Sequence, residues 1–187
     1  MKYKCITGGP ISENCYLLID EKTNQAAVVD PGFLNDVLLN EIKKYTVQRI
    51  LLTHGHFDHI WEADRLHEML GVPVCAYETE AAFAADDKQN GSLLMMYESV
   101  TCKVHEAFKD GETFQIGEVP VTVLHTPGHT AGGVSYITPD AVFTGDTLMG
   151  YSVGRCDLPT GNSAELRESL KKLAALPGNP DICGGHG

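Results

Sequence analysis

Residues 53–59 read T-H-G-H-F-D-H. Four side chains able to ligate a metal, His54, His56, Asp58 and His59, stand together there, between an apolar run at 47–52 that suits a buried strand and a helical pattern at 60–70. Imidazole nitrogens suit zinc, iron, copper and nickel, and a carboxylate adds a harder, negatively charged oxygen. On a loop, His54 and His56 are two residues apart and point the same way, while Asp58 and His59 point elsewhere. One loop can therefore serve two neighbouring ions. The competing reading makes Asp58 the cap of a helix starting near Ile60 and leaves the histidines solvated. The metal reading is preferred, because a motif this dense arises by chance in only about one sequence in a thousand of this composition.

The rest of the chain supplies strands, helices and a second set of donors. Upstream, 3–7, 15–19 and 26–29 are short β-favouring runs separated by turn-rich segments, an antiparallel meander that ends in Asp30-Pro31-Gly32. Helical spacing then puts Leu34, Val37, Leu38, Ile42 and Tyr45 on one face. The 60–70 helix turns Ala63, Leu66, Met69 and Leu70 inward and stops at Gly71. A short strand at 74–77 precedes two short helices, 78–85 and 92–98, whose Phe83, Met95, Met96 and Tyr97 belong to the core or to a groove wall. Strands are predicted at 112–116, 119–126, 134–137 and 141–144. The helix at 163–176 takes Asn162 as N-cap, Glu165 as capping-box partner, and Leu166, Leu170, Leu173 and Ala174 as its inward face. A last strand at 181–183 leads into G-G-H-G.

His129 lies in H-T-P-G-H-T, Asp146 in T-G-D-T and His186 in the final G-H-G. With the first motif they make seven candidates, each just past the end of a predicted strand, where rigid scaffolds commonly build ligand sites. His67, His105 and His125 lack that placement and are read as structural. Two successive halves of strands followed by a helix argue for two sheets face to face, each covered by helices: an α+β protein, with 1–187 as one domain.

Composition narrows the partners. A net charge of −11, from 14 basic against 25 acidic residues, argues against a nucleic-acid surface. The six cysteines form no C-x-x-C pair and no disulfide framework, so they read as reduced thiols. No apolar leader region opens the sequence, and no run approaches the ~18 apolar residues of a membrane span. The expectation is a cytoplasmic protein acting on a small molecule, with no nucleic-acid or membrane partner.

The order T-H-G-H-F-D-H, H-T-P-G-H-T, T-G-D-T-L and G-H-G resembles the metallo-β-lactamase superfamily over essentially the whole chain. That resemblance implies a four-layer αββα sandwich with two divalent ions at one edge, zinc first, with iron or manganese as alternatives. By the same resemblance His54, His56 and His129 hold one ion and Asp58, His59 and His186 the other, with Asp146 bridging them and Asp58 taking part in catalysis. Asp30 matches the family's V-D-P-G acid, which stands behind the ligands. The segment G-R-C-D-L-P at 154–159 is similar to G-R-x-D-x-P of small glyoxalase II-like hydrolases (hydroxyacylglutathione hydrolases), which implies that Arg155 binds a substrate carboxylate through its two-pronged guanidinium. No counterpart of the helical glutathione-binding domain of full-length glyoxalase II is present, which leaves the thiol carrier open. Cys156 is weighed as a reactive thiol activated by the neighbouring cation, and the plainer reading, a small loop residue, is preferred.

The implied reaction is hydrolysis of an acyl thioester, such as a 2-hydroxyacyl thiol, by hydroxide shared between the ions. Metal binding lowers the pKa of water from about 15.7 towards ~7, and a thiol of pKa about 8.5 leaves as thiolate without prior protonation. The alternatives are a mononuclear iron persulfide dioxygenase that shares these motifs, a lactonase-type hydrolase, and a non-catalytic metal-binding module. A β-lactamase is disfavoured, since such enzymes are exported and the sequence shows no signal.

Overall fold

The computed structural model describes residues 1–187. The chain opens with β1 (Lys2–Gly8), β2 (Glu13–Asp20), β3 (Gln25–Val29), α1 (Asp36–Ile42) and β4 (Thr46–Leu51). It continues through α2 (Phe57–Ile60), α3 (Ala63–Leu70), β5 (Val74–Tyr77), α4 (Glu80–Ala84), α5 (Ser92–Met95) and β6 (Glu106–Phe108). The second half holds β7 (Thr113–Ile116), β8 (Val119–His125), β9 (Val134–Ile137), β10 (Ala141–Gly145), α6 (Ser163–Ala174) and β11 (Asp181–Gly184). The strands form two sheets, ordered β1-β2-β3-β4-β5-β6 and β11-β10-β9-β8-β7.

Strands β2, β3 and β5 are buried almost throughout because both of their faces are covered, and β4 only at its end, Ile50 and Leu51. Along β2, Cys15, Leu17 and Ile19 face a core shared with the helices, whereas Tyr16 and Leu18 face the second sheet. The same alternation divides Ala26 and Val28 from Ala27 and Val29 on β3, and Ile50 from Leu51 on β4. Leu38 and Ile42 of α1, Ala63 and Leu66 of α3 and Ala84 of α4 complete the outer core. Between the sheets, Val121, Val123, Val134, Tyr136 and Phe143 meet the inward residues of the first sheet. Helix α6 lies on the other side, where Ser169 Oγ donates to the Pro127 carbonyl at 2.7 Å and Leu166 and Leu173 are buried. The result is the expected αββα order, in the α+β class.

Several local expectations need correction. The helix predicted over 60–70 is two pieces: α2 starts earlier, at Phe57, and takes Asp58 and His59 into a helical turn, with His56 in the N-cap position. Asp58 is therefore no cap. Val37, Met69 and Ala174, assigned inward, are exposed; short helices seated on a sheet bury only a narrow stripe. Asn162 does cap α6, its side chain accepting from the Ala164 and Glu165 N–H groups at 3.0 and 3.3 Å. The reciprocal arm of a capping box has no donor to take, because the Asn162 N–H already donates to the Gly128 carbonyl at 2.8 Å. Strand β6 was not expected; three residues at the end of a sheet carry no readable period.

Two contacts from β9 couple the sheets beneath the histidine motif, the first being the Val134 N–H, which donates to the Thr53 carbonyl at 2.8 Å. Tyr136 on β9 is fully buried and its phenol donates to the Leu52 carbonyl at 2.8 Å, one residue before Thr53. Replacing Tyr136 by Phe leaves that carbonyl without its donor. We expect a loss of about 1–3 kcal/mol, read as a Tm lower by at least 2 °C for a chain of this size. An unchanged melting curve would contradict this coupling.

Candidate metal centre

Four segments at one edge of the two sheets, following β4, β8, β10 and β11, bring the donors together, and the turn after β3 supports them. Asp30 stands at the end of β3 with a left-handed backbone, φ 51°, a conformation that aspartate tolerates better than most residues. Its Oδ1 accepts the Thr53 N–H at 2.7 Å, and its Oδ2 accepts the Thr53 hydroxyl at 2.6 Å and lies 3.0 Å from His59 Nδ1. An ionised carboxylate only accepts, so the His59 Nδ1–H donates to it. The Thr53 hydroxyl, having given its proton to Asp30, is free to accept from His54 Nδ1 at 3.1 Å. On the opposite loop, His129 Nδ1 donates to the Arg155 carbonyl at 2.7 Å. Three imidazoles are thus fastened at Nδ1 with Nε2 turned inward, the arrangement expected behind metal ligands.

The inward atoms form three overlapping groups, each with its donor atoms within 4.8 Å of one another: His54, His56 and His129; His54, His59 and Asp146; and Asp58, His59 and His186. Asp146 lies between the sets, with Oδ1 3.5 Å from His59 Nε2 and Oδ2 3.4 Å from His129 Nε2 and 3.7 Å from His186 Nε2. His186 Nε2 also meets Asp58 Oδ2 at 3.1 Å. The chain must come close to bring His186 in. A Cβ on Gly185 would stand 2.2 Å from Asp146 Oδ1 and 2.6 Å from His59 Cε1, so only glycine fits there.

The donors fit a divalent cation on two counts. Nε2 of His54 and His59 and Oδ1 of Asp146 are buried without any hydrogen-bond partner, while His56 turns Nδ1 to within 2.8 Å of His129 Nε2, and orphaned buried polar atoms are costly unless something else satisfies them. Protonation points the same way. Burial, then the neighbouring His129, pushes His56 down to about 3, and burial lowers His54 and His129 as well, so these three remain neutral as ligands must. Burial alone would lower His59 too, but Asp58, Asp146 and Asp30 outweigh it and push His59 well up. Burial would likewise raise Asp58 and Asp146, yet the His59 charge beside them holds both carboxyls below the usual range. The pocket concentrates negative charge that only an imidazolium or a bound cation can offset.

All seven sequence-predicted donors meet here, and a family model described as the Metallo-beta-lactamase superfamily matches residues 8–186. This chain belongs to that superfamily. Among its relatives, the probable metallo-hydrolase YqgX of Bacillus subtilis (strain 168) is 37% identical over 193 residues, covering all of this chain and 90% of YqgX. The hydroxyacylglutathione hydrolase of Brucella ovis is 39% identical over 148 residues, covering 78% of this chain and half of that enzyme. Among solved structures, the B3 metallo-beta-lactamase BLEG-1 superposes with a TM-score of 0.93 at 33% identity, covering all of this chain and 92% of that one. TTHA1623, solved in a di-iron-bound form, gives 0.83 at 32% identity, with 98% and 92% covered. The superfamily relationship makes this chain a metal-dependent hydrolase by descent, and the donor cluster is its candidate divalent-metal centre.

A cavity of about 190 Å³ opens over the cluster, walled by Ile11, Phe57, Met95, Met149 and Leu158. Arg155 is at its rim, exposed, with Nε and one terminal nitrogen 2.6 and 2.7 Å from the two carboxylate oxygens of Asp157. Its backbone carbonyl, not its side chain, touches the donor set. Cys156 is not activated by this cation: burial, then Asp157, pushes its thiol up, in keeping with a small loop residue. All six cysteines are free, and no helix is long and apolar enough to cross a membrane. His67 stacks on His105 and His125 on Tyr77, as structural histidines do.

Sequence reasoning passed over Thr53, whose hydroxyl relays Asp30 to His54, although it lies inside the motif. Glu13 and Glu80 are also fully or almost fully buried near the site, and neither stands in any donor-spaced pattern. For Asp30 the geometry sets a clear expectation. Asp30→Ala removes the acceptor that orients His59 directly and His54 through Thr53. Affinity for zinc should fall about 10–100-fold, the usual cost of losing such support. Competition with a chromophoric chelator measures it, and wild-type affinity in the variant would show that Asp30 does not support the centre.

Proposed function

We propose that this chain hydrolyses acyl thioesters with two divalent ions, in the manner of the glyoxalase II-like hydrolases, and that a 2-hydroxyacyl thiol is its kind of substrate. One observation carries the reading: apart from Arg155, every titratable side chain lining the cavity belongs to the donor set. With all of them committed to ions, no protein acid remains to protonate a departing group. An amine or alkoxide needs that proton, whereas a thiolate of pKa about 8.5 does not. The hydroxyacylglutathione hydrolase relative and the di-iron form of TTHA1623 support the substrate class and the two-ion centre respectively.

His54, His56 and His129 would hold one ion, and Asp58, His59 and His186 the other, with Asp146 shared. Zinc is the first expectation for this N/O donor set, and iron or manganese would also suit it. When bound, such ions supply a water acidic enough to attack at neutral pH and a positive field for the carbonyl oxygen. The chain's own part is orientation. Asp30, Thr53 and the Arg155 carbonyl fix the imidazoles, and the apolar walls exclude bulk water. Arg155 takes a carboxylate of the substrate in place of Asp157, which already occupies the same two-pronged geometry. Free thiols throughout fit a reducing, cytoplasmic setting, with residues 1–187 acting as one unit on a small molecule.

The similarity to BLEG-1 favours β-lactam hydrolysis as a second reading. It requires an amine to leave, and the cavity offers no acid for that step. Protein purified without added metal should release free thiol from S-lactoyl thiols, and His54→Ala should abolish the release. Arg155→Met should raise KM about tenfold for carboxylate-bearing thioesters with kcat nearly kept, the mark of lost uniform binding. Metal-loaded protein that releases no thiol yet opens a β-lactam, or that binds one iron and consumes oxygen with a thiol persulfide, would overturn the proposal.

A further inference from the structure

Helix α4 touches two of the loops that carry the donors. Its first residue, Glu80, is 2% exposed, and its two carboxylate oxygens do different work. Oε2 accepts the Gly55 N–H at 2.6 Å, and Oε1 accepts the Gly132 N–H at 2.8 Å. Gly55 separates His54 from His56, and Gly132 lies three residues beyond His129. One carboxylate therefore spans the two loops that carry the three histidines. Glu80 makes no ion pair; burial pushes its carboxyl up, and the Thr130 side chain with the Gly55 and Gly132 amides works against that rise.

The fit around it is close. A Cβ on Gly132 would stand 2.7 Å from Glu80 Oε1, and one on Gly55 3.0 Å from Oε2, so both loops come as near as a side chain-free residue allows. One turn further along the same face of α4, Phe83 packs edge-on against the His56 ring, with centroids 5.4 Å apart at 70°. Both N–H groups are buried and the local backbone supplies no alternative acceptor for either among its hydrogen bonds.

We propose that Glu80 is a positioning residue that clamps the His54–His56 loop to the His129 loop and so sets the geometry of the three-histidine ion set. The inference rests on the metal-centre reading but not on thioester hydrolysis. The Asp58, His59 and His186 set is fastened by other contacts, through Asp30 and the C-terminal strand, and lies outside the clamp. Losing Glu80 therefore loosens one set and spares the other.

The test compares wild type, Glu80→Gln and Asn35→Ala. Gln is close to isosteric, keeps one acceptor oxygen, and turns an NH2 donor towards the other amide, so one loop is released without emptying the site. Asn35→Ala removes the N-cap of α1, whose side chain accepts only from the Leu38 N–H and touches no donor, and serves as the stability control. Each protein is titrated with cobalt(II), read by its visible d–d absorption, and with zinc against a chelator. Glu80→Gln should weaken one ion about 10–100-fold, change the d–d band, and leave the second ion's affinity within threefold. Asn35→Ala should lower Tm and leave both metal readouts unchanged. Wild-type spectrum and affinities in Glu80→Gln, or an identical change in Asn35→Ala, would overturn the positioning role. Should wild type bind a single ion, the two-ion reading falls separately, and the clamp still predicts a weakened, spectrally altered site in Glu80→Gln.

Discussion

Everything at the metal edge depends on where the imidazole protons go, and the Asp30 carboxylate decides two of them, on His59 and, through Thr53, on His54. Held at the end of β3 with both oxygens engaged by Thr53, it can accept but not donate. His59 must then give it Nδ1–H, and Thr53 must turn a lone pair to His54. The Nε2 atoms left facing inward have no partner in the protein. A geometry that orphans donor atoms on one side by satisfying the other is built for a cation. The acids around His59 add the electrostatic half of the same argument.

The fold's role is to make that geometry cheap to hold. Strands buried on both faces form a rigid double layer, and the donors hang just past its strand ends, so small loop segments rather than long mobile ones carry them. Tyr136 ties the second sheet to the first at Leu52, and Glu80 joins two of the donor loops from the outside. Apolar packing thus fixes the backbone, and hydrogen bonds made by buried acids fix the rings. The frame is that of the superfamily the chain belongs to, and Arg155, Met95 and Leu158 line the cavity that opens over the donors.

The donors themselves are legible in the sequence, because His and Asp at H-x-H-x-D-H spacing have few other uses and each distal donor follows a strand. The double sheet is legible too, through runs such as Cys15–Ile19 and Ala26–Val29 that are apolar on both faces. Of what supports the donors, Asp30 is legible through its V-D-P-G motif, and the rest is not. Glu80 reaches Gly55 and Gly132 across 25 and 52 residues, and no local pattern encodes such a span. Asp58 looks like a cap because it precedes a helical run, and only the early start of α2 places it inside the turn. Val37 and Met69 satisfy helical periodicity yet face water, since periodicity cannot say how wide a stripe the sheet will cover. Arg155 stands in a recognisable motif, but its pairing with Asp157 is visible only in three dimensions.

The central claim is that two donor sets sharing Asp146 hold two ions. Anomalous diffraction from crystals of protein purified without added metal locates them directly. The account predicts two peaks about 3.5–4 Å apart, one among His54, His56 and His129 and one among Asp58, His59 and His186, with Asp146 touching both. A single peak, or one lying outside these seven side chains, would contradict it.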